Sequence, residues 1–322
     1  MPDILVTGAA GFLGRGIVAQ AAAVGLTVRA TDRSPLPFAA PVECVQADIL
    51  DPVGIREAFG GAAAVIHSAG LAHCFDRRAS TASQLYRVNE EGTANVARAA
   101  AEAGARHLIV VSSVSVYGVS RRDQTDESAE CYPEGPYAKS KWRAEQRARE
   151  ITASAGIRLT ILRLATLYGE EDPGNVARLM RTIDRGYFLW IGDGSNRKSV
   201  LHRDDAARAC LLAAGTPGQQ TEIYNVSAPP CAMRTIVNDL AAELGRRLPS
   251  WHVPVPLALR LAGVLACLSV AAGISASLKK WLSDDKYSCA RFTEAAGFCV
   301  RVGLEEGLKR EVAWYRSVTR SV

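Results

Sequence analysis

The sequence predicts an α/β fold with a doubly wound parallel sheet, followed by a smaller C-terminal domain. Short apolar runs alternate with segments of helical period through the first 165 residues. These runs are too apolar for strands with one face in water, so we expect a parallel sheet with helices on both faces. After Gly169 the alternation weakens, and proline, glycine and tryptophan become frequent.

Seven apolar runs are predicted core strands, the last of them far along the chain. They cover residues 4–7, 27–31, 44–47, 63–67, 107–112, 158–163 and 222–226. Segments of helical period lie between them, among them 13–24 and 92–103. We therefore expect a nucleotide-binding domain of residues 1–172 with a return segment at about 205–228. Residues 173–204 and 229–322 are the predicted cap, where a substrate would bind.

Composition and charge exclude several classes of protein. Hydrophobic residues make up 48% and charged residues 22%, which excludes a disordered chain and a disulfide scaffold. The net charge of +5 comes without a basic block, so we expect no nucleic-acid partner. Eight scattered cysteines lack any Cys-x-x-Cys pair, which predicts buried, reduced thiols. The five histidines show no metal-ligand spacing, and we expect no metal.

The first strand begins at Ile4, too early for a signal peptide, so we expect a cytoplasmic protein. Residues 261–278 are uncharged, but two glycines and three serines dilute them. A buried or interface helix is the favoured interpretation, with no firm membrane association. Peripheral membrane contact is the alternative.

A glycine-rich turn follows the first strand directly. Gly8 permits a tight turn, Gly11 lets the backbone approach a pyrophosphate, and Gly14 lets the helix pack on the strand. Phe12 and Leu13 belong to the same turn and open the helix, whose free N–H groups suit phosphates. Because the glycines lie between a strand and a helix, they predict a Rossmann-type dinucleotide site.

Further predicted cofactor contacts follow the next strands. Asp32, 18 residues after Gly14, is placed to accept hydrogen bonds from the adenosine ribose. Its carboxylate repels a 2′-phosphate and favours NAD, whereas the adjacent Arg33 leaves NADP open. Asp48 and Ile49 are predicted to bind and cover the adenine, with a helix-capping role as the alternative. Small residues end the fourth strand where backbone would run beside the cofactor, namely Ser68, Ala69 and Gly70.

Tyr137 and Lys141 are four residues apart, so they share one face of a predicted helix. Ser113 ends a core strand 24 residues earlier. A phenol is a poor base at neutral pH, but a lysine ammonium and a cationic nicotinamide would lower its pKa. Tyr137 could then take a proton from a substrate hydroxyl while its carbon gives up hydride. Ser113 would hold the same oxygen, and Lys141 the nicotinamide ribose.

The sequence resembles an extended short-chain dehydrogenase/reductase of the NAD-dependent sugar-nucleotide epimerase/dehydratase group. The resemblance covers nearly the whole chain. Its carriers are the glycine-rich turn of residues 7–14, Asp48-Ile49, the segment 112–118, the segment 137–141 and the segment 163–169. It implies that Asn89 supports the site and that a diphosphate is held by Asn175, Arg197 and Lys198.

Departures from the family pattern narrow the expected reaction. Val114 and Ser115 stand where family dehydratases carry an Asp-Glu pair, which disfavours a 4,6-dehydration. The resemblance then implies a UDP-hexose or UDP-N-acetylhexosamine 4-epimerase acting through a 4-keto intermediate. One alternative is an NAD(P)H-dependent 4-ketosugar-nucleotide reductase in surface polysaccharide synthesis, and a further one is a hydroxysteroid-like dehydrogenase. Lys279 or Lys280 could replace a family arginine near the uridine diphosphate.

The resemblance also implies a homodimer. Family members pack two helices from each chain, which here would be residues 90–103 and 139–153. Both have alanine-rich faces that suit close helix contact, although the same faces could pack within one chain.

Overall fold

The computed structural model describes residues 3–72, 79–119, 124–260, 278 and 281–319. Its central feature is a sheet of seven parallel strands. In chain order these are β1 (Ile4–Thr7), β2 (Val28–Asp32), β3 (Glu43–Gln46), β4 (Ala64–His67), β5 (His107–Ser113), β6 (Arg158–Leu164) and β11 (Thr221–Val226). The spatial order is β11-β6-β5-β4-β1-β2-β3. The direction of strand order reverses at β1, next to β4, which is where ligands bind in open α/β sheets.

Ten helices of the described residues are used below. They are α1 (Phe12–Ala23), α2 (Pro52–Phe59), α3 (Ala79–Tyr86), α4 (Gly92–Glu102), α5 (Gly135–Ala155), α6 (Asn175–Asp184), α7 (Arg203–Gly215), α8 (Met233–Leu244), α9 (Ala290–Ala296) and α10 (Leu304–Thr319). Short strands join the C-terminal elements: β7 (Thr166–Tyr168), β8 (Trp190–Ile191), β9 (Arg197–Lys198), β10 (Val200–His202), β12 (Cys231–Ala232) and β13 (His252–Val253).

Successive residues of β1 show how both faces of the sheet are covered. Ile4 and Val6 pack into the core formed with α1 and α7, whereas Leu5 packs into the core formed with α2 and α4. All three are buried, because consecutive strand residues point to opposite faces. The predicted doubly wound parallel sheet is therefore confirmed, with each predicted strand within about two residues of its observed bounds.

A third apolar core lies among the C-terminal elements. It joins α6, α8 and α10 through residues such as Met180, Val237 and Leu308. Helix α7 and strand β11, which lie in the predicted return segment, pack on the sheet side of the molecule. The exact domain boundaries stay a prediction.

Two expectations about burial are wrong. Strand β3 is the edge of the sheet and is mostly exposed, including Cys44. Among the described cysteines only Cys210 is buried, and Cys299 is exposed like Cys44. An edge strand has a partner on one side only, so an apolar run there does not require burial on both faces.

The alanine faces of the predicted dimer helices are used inside the chain. Ala97 and Ala100 of α4 are fully buried, and α4 packs against α5. The intrachain alternative therefore accounts for these alanines, and the homodimer stays a prediction.

In the described part of the chain, no helix combines the length and apolar character needed to cross a bilayer. The segment 261–278, apart from Leu278, lies outside the described residues, as do Lys279 and Lys280.

Candidate active site

The glycine-rich turn joins β1 to α1 at the carboxyl edge of the sheet. Gly8 has a φ of +70°, and a Cβ on it would lie 2.5 Å from the Cα of Ala69. A Cβ on Gly14 would lie 2.0 Å from the carbonyl oxygen of Gly8. Both positions therefore exclude a side chain, which leaves backbone facing the space above the turn. The first-turn N–H groups of α1, from Phe12 onward, have no side-chain cap and can serve a phosphate.

Asp32 ends β2 beside this turn. Its carboxylate accepts hydrogen bonds from the N–H groups of Ala10 at 3.1 Å and Ser34 at 2.9 Å. Arg33 next to it is exposed. The carboxylate oxygens keep further acceptor capacity, which an adenosine ribose could use, and this contact stays a prediction.

The predicted adenine residues lie after β3. Asp48 accepts from the N–H of Leu50 at 2.9 Å, while Asp51 rather than Asp48 caps α2. Ile49 is buried against α4, where a Cβ on Gly92 would meet its Cδ1 at 2.5 Å. The capping alternative therefore does not apply to Asp48, and its contact with adenine stays a prediction.

The loop after β4 is connected to α5 through Asn89. This residue lies in a π-helical turn, Arg87–Glu91, and is buried. Its side-chain amide accepts from the N–H of Leu71 and donates to the carbonyl of Leu71 and to the hydroxyl of Ser140. Ser140 in turn donates to the carbonyl of Tyr137. Asn89 thus fixes the loop after β4 relative to the start of α5, and its support of the catalytic chemistry stays a prediction.

Ser113, Tyr137 and Lys141 come together at the carboxyl ends of β4 and β5. Pro136 lies in the first turn of α5, which begins at Gly135 and places Tyr137 in the same turn. The Ser113 hydroxyl lies near the hydroxyl of Tyr137 and acts to lower its pKa. The Nζ of Lys141 donates to the carbonyl of Val111 at 2.7 Å and lies 3.4 Å from where a Cβ on Gly70 would be.

The predicted lowering of the Tyr137 pKa is not what these protein groups produce. Burial raises the pKa of Tyr137, and the hydrogen bond with Ser113 opposes this only in part. Burial also lowers the pKa of Lys141 to about 8, against the attraction of Glu145. The Lys141 ammonium is directed to the Val111 carbonyl, and it is not among the groups that shift the pKa of Tyr137.

Two buried networks support the site, and neither was predicted from the sequence. His67 lies between the hydroxyls of Thr7 and Thr93, at 2.7 Å and 2.9 Å, and burial lowers the pKa of its ring to about 3. A neutral ring can donate from one nitrogen and accept at the other, so it links β1 to α4. A histidine and a threonine stand at the ends of two predicted strands that pair in the sheet, and this pattern could have indicated the network from the sequence.

The second network fixes α5 to the sheet. Glu145 accepts from Arg163 at 2.7 Å and 3.0 Å and from the hydroxyl of Ser112 at 2.6 Å, and it is fully buried. Glu145 lies one turn after Lys141, just as Lys141 lies one turn after Tyr137. A spacing of four residues through Tyr137, Lys141 and Glu145 could have indicated this face of the helix.

The predicted diphosphate ligands lie among the C-terminal elements. Asn175 is exposed at the first position of α6. Arg197 is also exposed, and its guanidinium donates to the carbonyl of Pro230 at 2.5 Å. Lys198, in contrast, forms an ion pair with Asp285 at 2.6 Å. The role of all three in binding a diphosphate stays a prediction.

The short helical turn after Ser113 carries the residues that differ from family dehydratases. Val114 is buried in an apolar cluster with Tyr117 and Tyr287. The hydroxyl oxygen of Ser115 is buried and has no hydrogen-bond partner among the described residues. This turn therefore presents a hydroxyl and an apolar side chain, and neither can protonate a leaving group.

Comparison with known proteins supports this description. The sequence profile described as "NAD dependent epimerase/dehydratase family" matches residues 4–227. The N-acetyl-alpha-D-glucosaminyl-diphospho-ditrans,octacis-undecaprenol 4-epimerase of Escherichia coli O157:H7 is 29% identical over 97% of this chain and 95% of its own length. The 2-alkyl-3-oxoalkanoate reductase of Stenotrophomonas maltophilia (strain K279a) is 29% identical over 95% of this chain and 97% of its own length.

A solved structure is similar over the full length. MoeE5 in complex with UDP-glucuronic acid and NAD is 26% identical, with a TM-score of 0.80, and the match covers 99% of this chain and 100% of that one. The predicted Rossmann-type fold, enzymatic character and NAD dependence are thereby confirmed. Since the family profile extends from β1 to the end of β11, the chain belongs to the NAD-dependent epimerase/dehydratase family.

Proposed function

We propose that this protein is an NAD-dependent 4-epimerase of a hexose or N-acetylhexosamine joined through a diphosphate to a carrier group. The carrier is a uridine, as the family resemblance implies, or a polyprenol, as in the name of the Escherichia coli relative. The observation that carries the proposal is the cluster of Ser113, Tyr137 and Lys141 beside the glycine-rich turn. A base at this place could take the proton of a secondary alcohol, while a bound nicotinamide dinucleotide would supply the hydride acceptor that the oxidation needs.

The chain's own residues account for the proton transfers. Tyr137 accepts the proton of the C4 hydroxyl, and the Ser113 hydroxyl orients the same oxygen. Bound NAD supplies the acceptor, and afterwards the donor, of the hydride at C4. After the 4-keto sugar has turned, Tyr137 returns the proton to the C4 oxygen, so no net oxidation or reduction remains. Lys141 donates to the carbonyl of Val111 beside Gly70 and is placed there to hold the cofactor ribose.

The turn after Ser113 supports epimerisation over dehydration. A 4,6-dehydration needs an acid to protonate the leaving 6-hydroxyl, and Val114 and Ser115 cannot supply one. The unpartnered hydroxyl of Ser115 can instead hydrogen-bond a sugar hydroxyl. Because buried polar groups are normally satisfied, we assign this oxygen to the substrate side of the site.

We propose that Asn175 and Arg197 hold the diphosphate, and that Lys198 leaves its ion pair with Asp285 to join them when the substrate binds. Binding energy from the diphosphate would hold the substrate while the sugar ring stays free to turn. Replacing Arg197 by Gln is expected to raise KM for the substrate about tenfold while leaving kcat within about twofold. Equal loss in kcat would contradict a role confined to binding.

A second candidate is a one-way 4-ketosugar reductase that uses the same residues with exchangeable NAD(P)H. The exposed Arg33 beside Asp32 favours it, since a guanidinium could hold the 2′-phosphate of NADPH. The similarity to an oxoalkanoate reductase also favours reduction as the net reaction.

One experiment separates these functions. Purified protein is incubated with UDP-N-acetylglucosamine and, in a second arm, with N-acetylglucosaminyl-diphospho-undecaprenol, each with and without added NADH or NADPH. Released sugars are then separated by chromatography. Epimerisation gives N-acetylgalactosamine without added reductant, and the active arm identifies the carrier. Two further arms supply a 4-keto sugar nucleotide with NADH or NADPH, and a hydroxysteroid with NAD. Activity confined to the first of these identifies the reductase, and activity confined to the second identifies the hydroxysteroid-like alternative.

A further inference from the structure

Four large apolar side chains are exposed in one region of the C-terminal elements. Tyr187 is 76% exposed, Leu189 50%, Trp251 56% and Leu257 50%. We call these four residues the apolar corner. Exposed apolar residues scattered singly are ordinary, but a group of this kind marks an interaction surface.

Strand pairing brings the members of the apolar corner together. Strands β8 and β13 pair in parallel, with Trp190 opposite His252 and Ile191 opposite Val253. Leu189 and Trp251 each precede these pairs by one residue, so they extend from neighbouring strands, about 4.8 Å apart. Ile191 and Val253 pack with Ala258, Leu278 and Leu282 beneath them. Leu257 precedes Ala258 in a helical turn, and Tyr187 lies two residues before Leu189.

The same two segments carry only positive charge. Residues 185–192 and 245–260 contain no Asp or Glu, and the two acidic residues that flank the first segment, Asp184 and Asp193, each have an arginine nearby, Arg246 and Arg234. Arg185, Arg247 and Arg260 are exposed within four residues of a member of the apolar corner. Neither Arg247 nor Arg260 has an acidic side chain within salt-bridge distance in the described part of the chain. Arg246 differs from them because it pairs with Asp184 at 3.1 Å.

We propose that the apolar corner docks on the surface of an anionic lipid bilayer. Tryptophan and tyrosine prefer the boundary between headgroups and acyl chains, and leucine inserts beside them. Arginines around the apolar groups are attracted to anionic lipid, with each contributing to binding. A second copy of this chain fits the surface less well, because a two-fold contact would bring the same arginines face to face.

This inference goes beyond the proposed function and holds whichever carrier bears the sugar. It replaces the expectation of no firm membrane association and uses described residues only. Docking of this kind is peripheral, since it relies on a few side chains at the interface rather than on a spanning helix.

The test is co-sedimentation of the purified chain with vesicles, with no sugar substrate present. Vesicles of phosphatidylglycerol mixed with phosphatidylcholine are compared with vesicles of phosphatidylcholine alone. We expect binding to the anionic vesicles that weakens as salt is added. The double variants Trp251→Ser with Leu257→Ser, and Arg247→Gln with Arg260→Gln, should each bind about tenfold more weakly.

Val24→Ser with Val318→Ser is the matched control, because both valines are exposed but lie on α1's C-terminal end and on α10. This variant should bind like the wild type. All variants should keep the wild-type thermal midpoint and NAD content, which shows that they fold.

Absence of binding to anionic vesicles, or equal binding by all variants, would overturn the proposal. So would light scattering that shows a dimer broken by the Trp251 and Leu257 substitutions, because the corner would then join two copies. Loss of sugar turnover alone would concern the proposed function and not this surface.

Discussion

At the scale of the residue, Lys141 is subject to opposing influences on its charge. Burial lowers the pKa of its amine to about 8, and Glu145, one turn along α5, favours the ammonium form. Its Nζ donates to the carbonyl of Val111, which fixes the side chain beside Gly70 and the predicted nicotinamide ribose. A lysine held in this way can change its charge within the range in which enzymes are assayed.

We predict that kcat/KM stops rising near pH 8 as Lys141 loses its proton. The group's pKa is lowered, so the charge is present below about pH 8 and is lost above it. In Lys141→Arg the side chain stays charged at every accessible pH, so the optimum should move to higher pH although the rate falls. The measurement is a pH profile of initial rates with NAD supplied. Lys139→Arg, an exposed neighbour on α5, should keep the wild-type profile. Identical profiles for all three proteins would rule out Lys141 as the titrating group.

Replacing Tyr137 by Phe removes the phenolic oxygen and nothing else. We expect turnover to fall by about 10²–10⁴-fold, the usual contribution of a general base, while NAD is still bound. Turnover is measured on the active substrate, and NAD content by absorbance of the released cofactor. The exposed Tyr132, whose hydroxyl donates to Glu130, supplies the matched Tyr132→Phe control. Full turnover by Tyr137→Phe would disprove the mechanism.

At the scale of the element, the sheet was predictable because each of its strands is a short, continuous run of mostly apolar residues. The apolar runs that form β1 and β6 are buried on both faces, and burial is what an apolar run in a sequence predicts most directly. The proposed catalytic pair could be recognised for a similar reason, since Tyr137 and Lys141 lie one helical turn apart. The exposure of edge strand β3 could not be predicted in this way. Its burial depends on which elements lie beside it, and the topology of the sheet decides that.

The C-terminal elements were much less predictable. Strands β8, β9, β12 and β13 have two residues each, and their partners are distant in sequence. Lys198 shows the consequence for the site: a partner 87 residues away, Asp285, takes up its charge. A pair at such separation leaves no periodic signal, so sequence alone could suggest the residue but not its neighbour.

The contact between α1 and β1 gives a prediction for Gly14. A Cβ in Gly14→Ala would lie 2.0 Å from the Gly8 carbonyl oxygen, so helix and turn must move apart. We expect a loss of about 1–3 kcal/mol in the free energy of unfolding and at least about tenfold weaker NAD binding. Urea unfolding and a fluorescence titration with NAD would measure the two effects.

Gly215 is the control for this substitution. It ends α7, and a Cβ there would meet nothing within 4 Å. Gly215→Ala should change stability by no more than about 0.5 kcal/mol and leave NAD binding unaltered. If Gly14→Ala behaved in the same way, close packing at the turn could not be what the glycine provides.

At the scale of the whole molecule, buried carboxyl groups connect the C-terminal helix to the substrate side. Glu311 of α10 accepts from the N–H of Gly169, just after β7. Asp172, three residues further on, accepts from the N–H groups of Gly174 and Ala177 and so fixes the start of α6. The position of Asn175 at that start therefore depends on packing between the last helix and the centre of the chain.

Glu311 should make stability depend on pH. Burial, together with the nearby Asp172 carboxyl, raises the pKa of Glu311 from 4.5 to about 9. Between these values the folded protein holds a proton that the unfolded chain has released, so stability falls as pH rises, by up to about 1.4 kcal/mol per unit. Glu311→Gln keeps an acceptor for the Gly169 N–H but cannot titrate.

The stability of the two proteins is best compared at pH 6.5 and at about pH 8. Both values lie between the ordinary pKa of a glutamate and the raised pKa of Glu311. Other groups with shifted pKa values contribute equally to both proteins, so the difference isolates Glu311. Over this range the wild type should lose about 2 kcal/mol relative to Glu311→Gln in urea unfolding. Glu306→Gln, an exposed substitution on the same helix, should follow the wild type. Parallel stability curves for Glu311→Gln and the wild type would mean that Glu311 is ionised in the folded protein, and that α10 tolerates a buried charge beside Gly169.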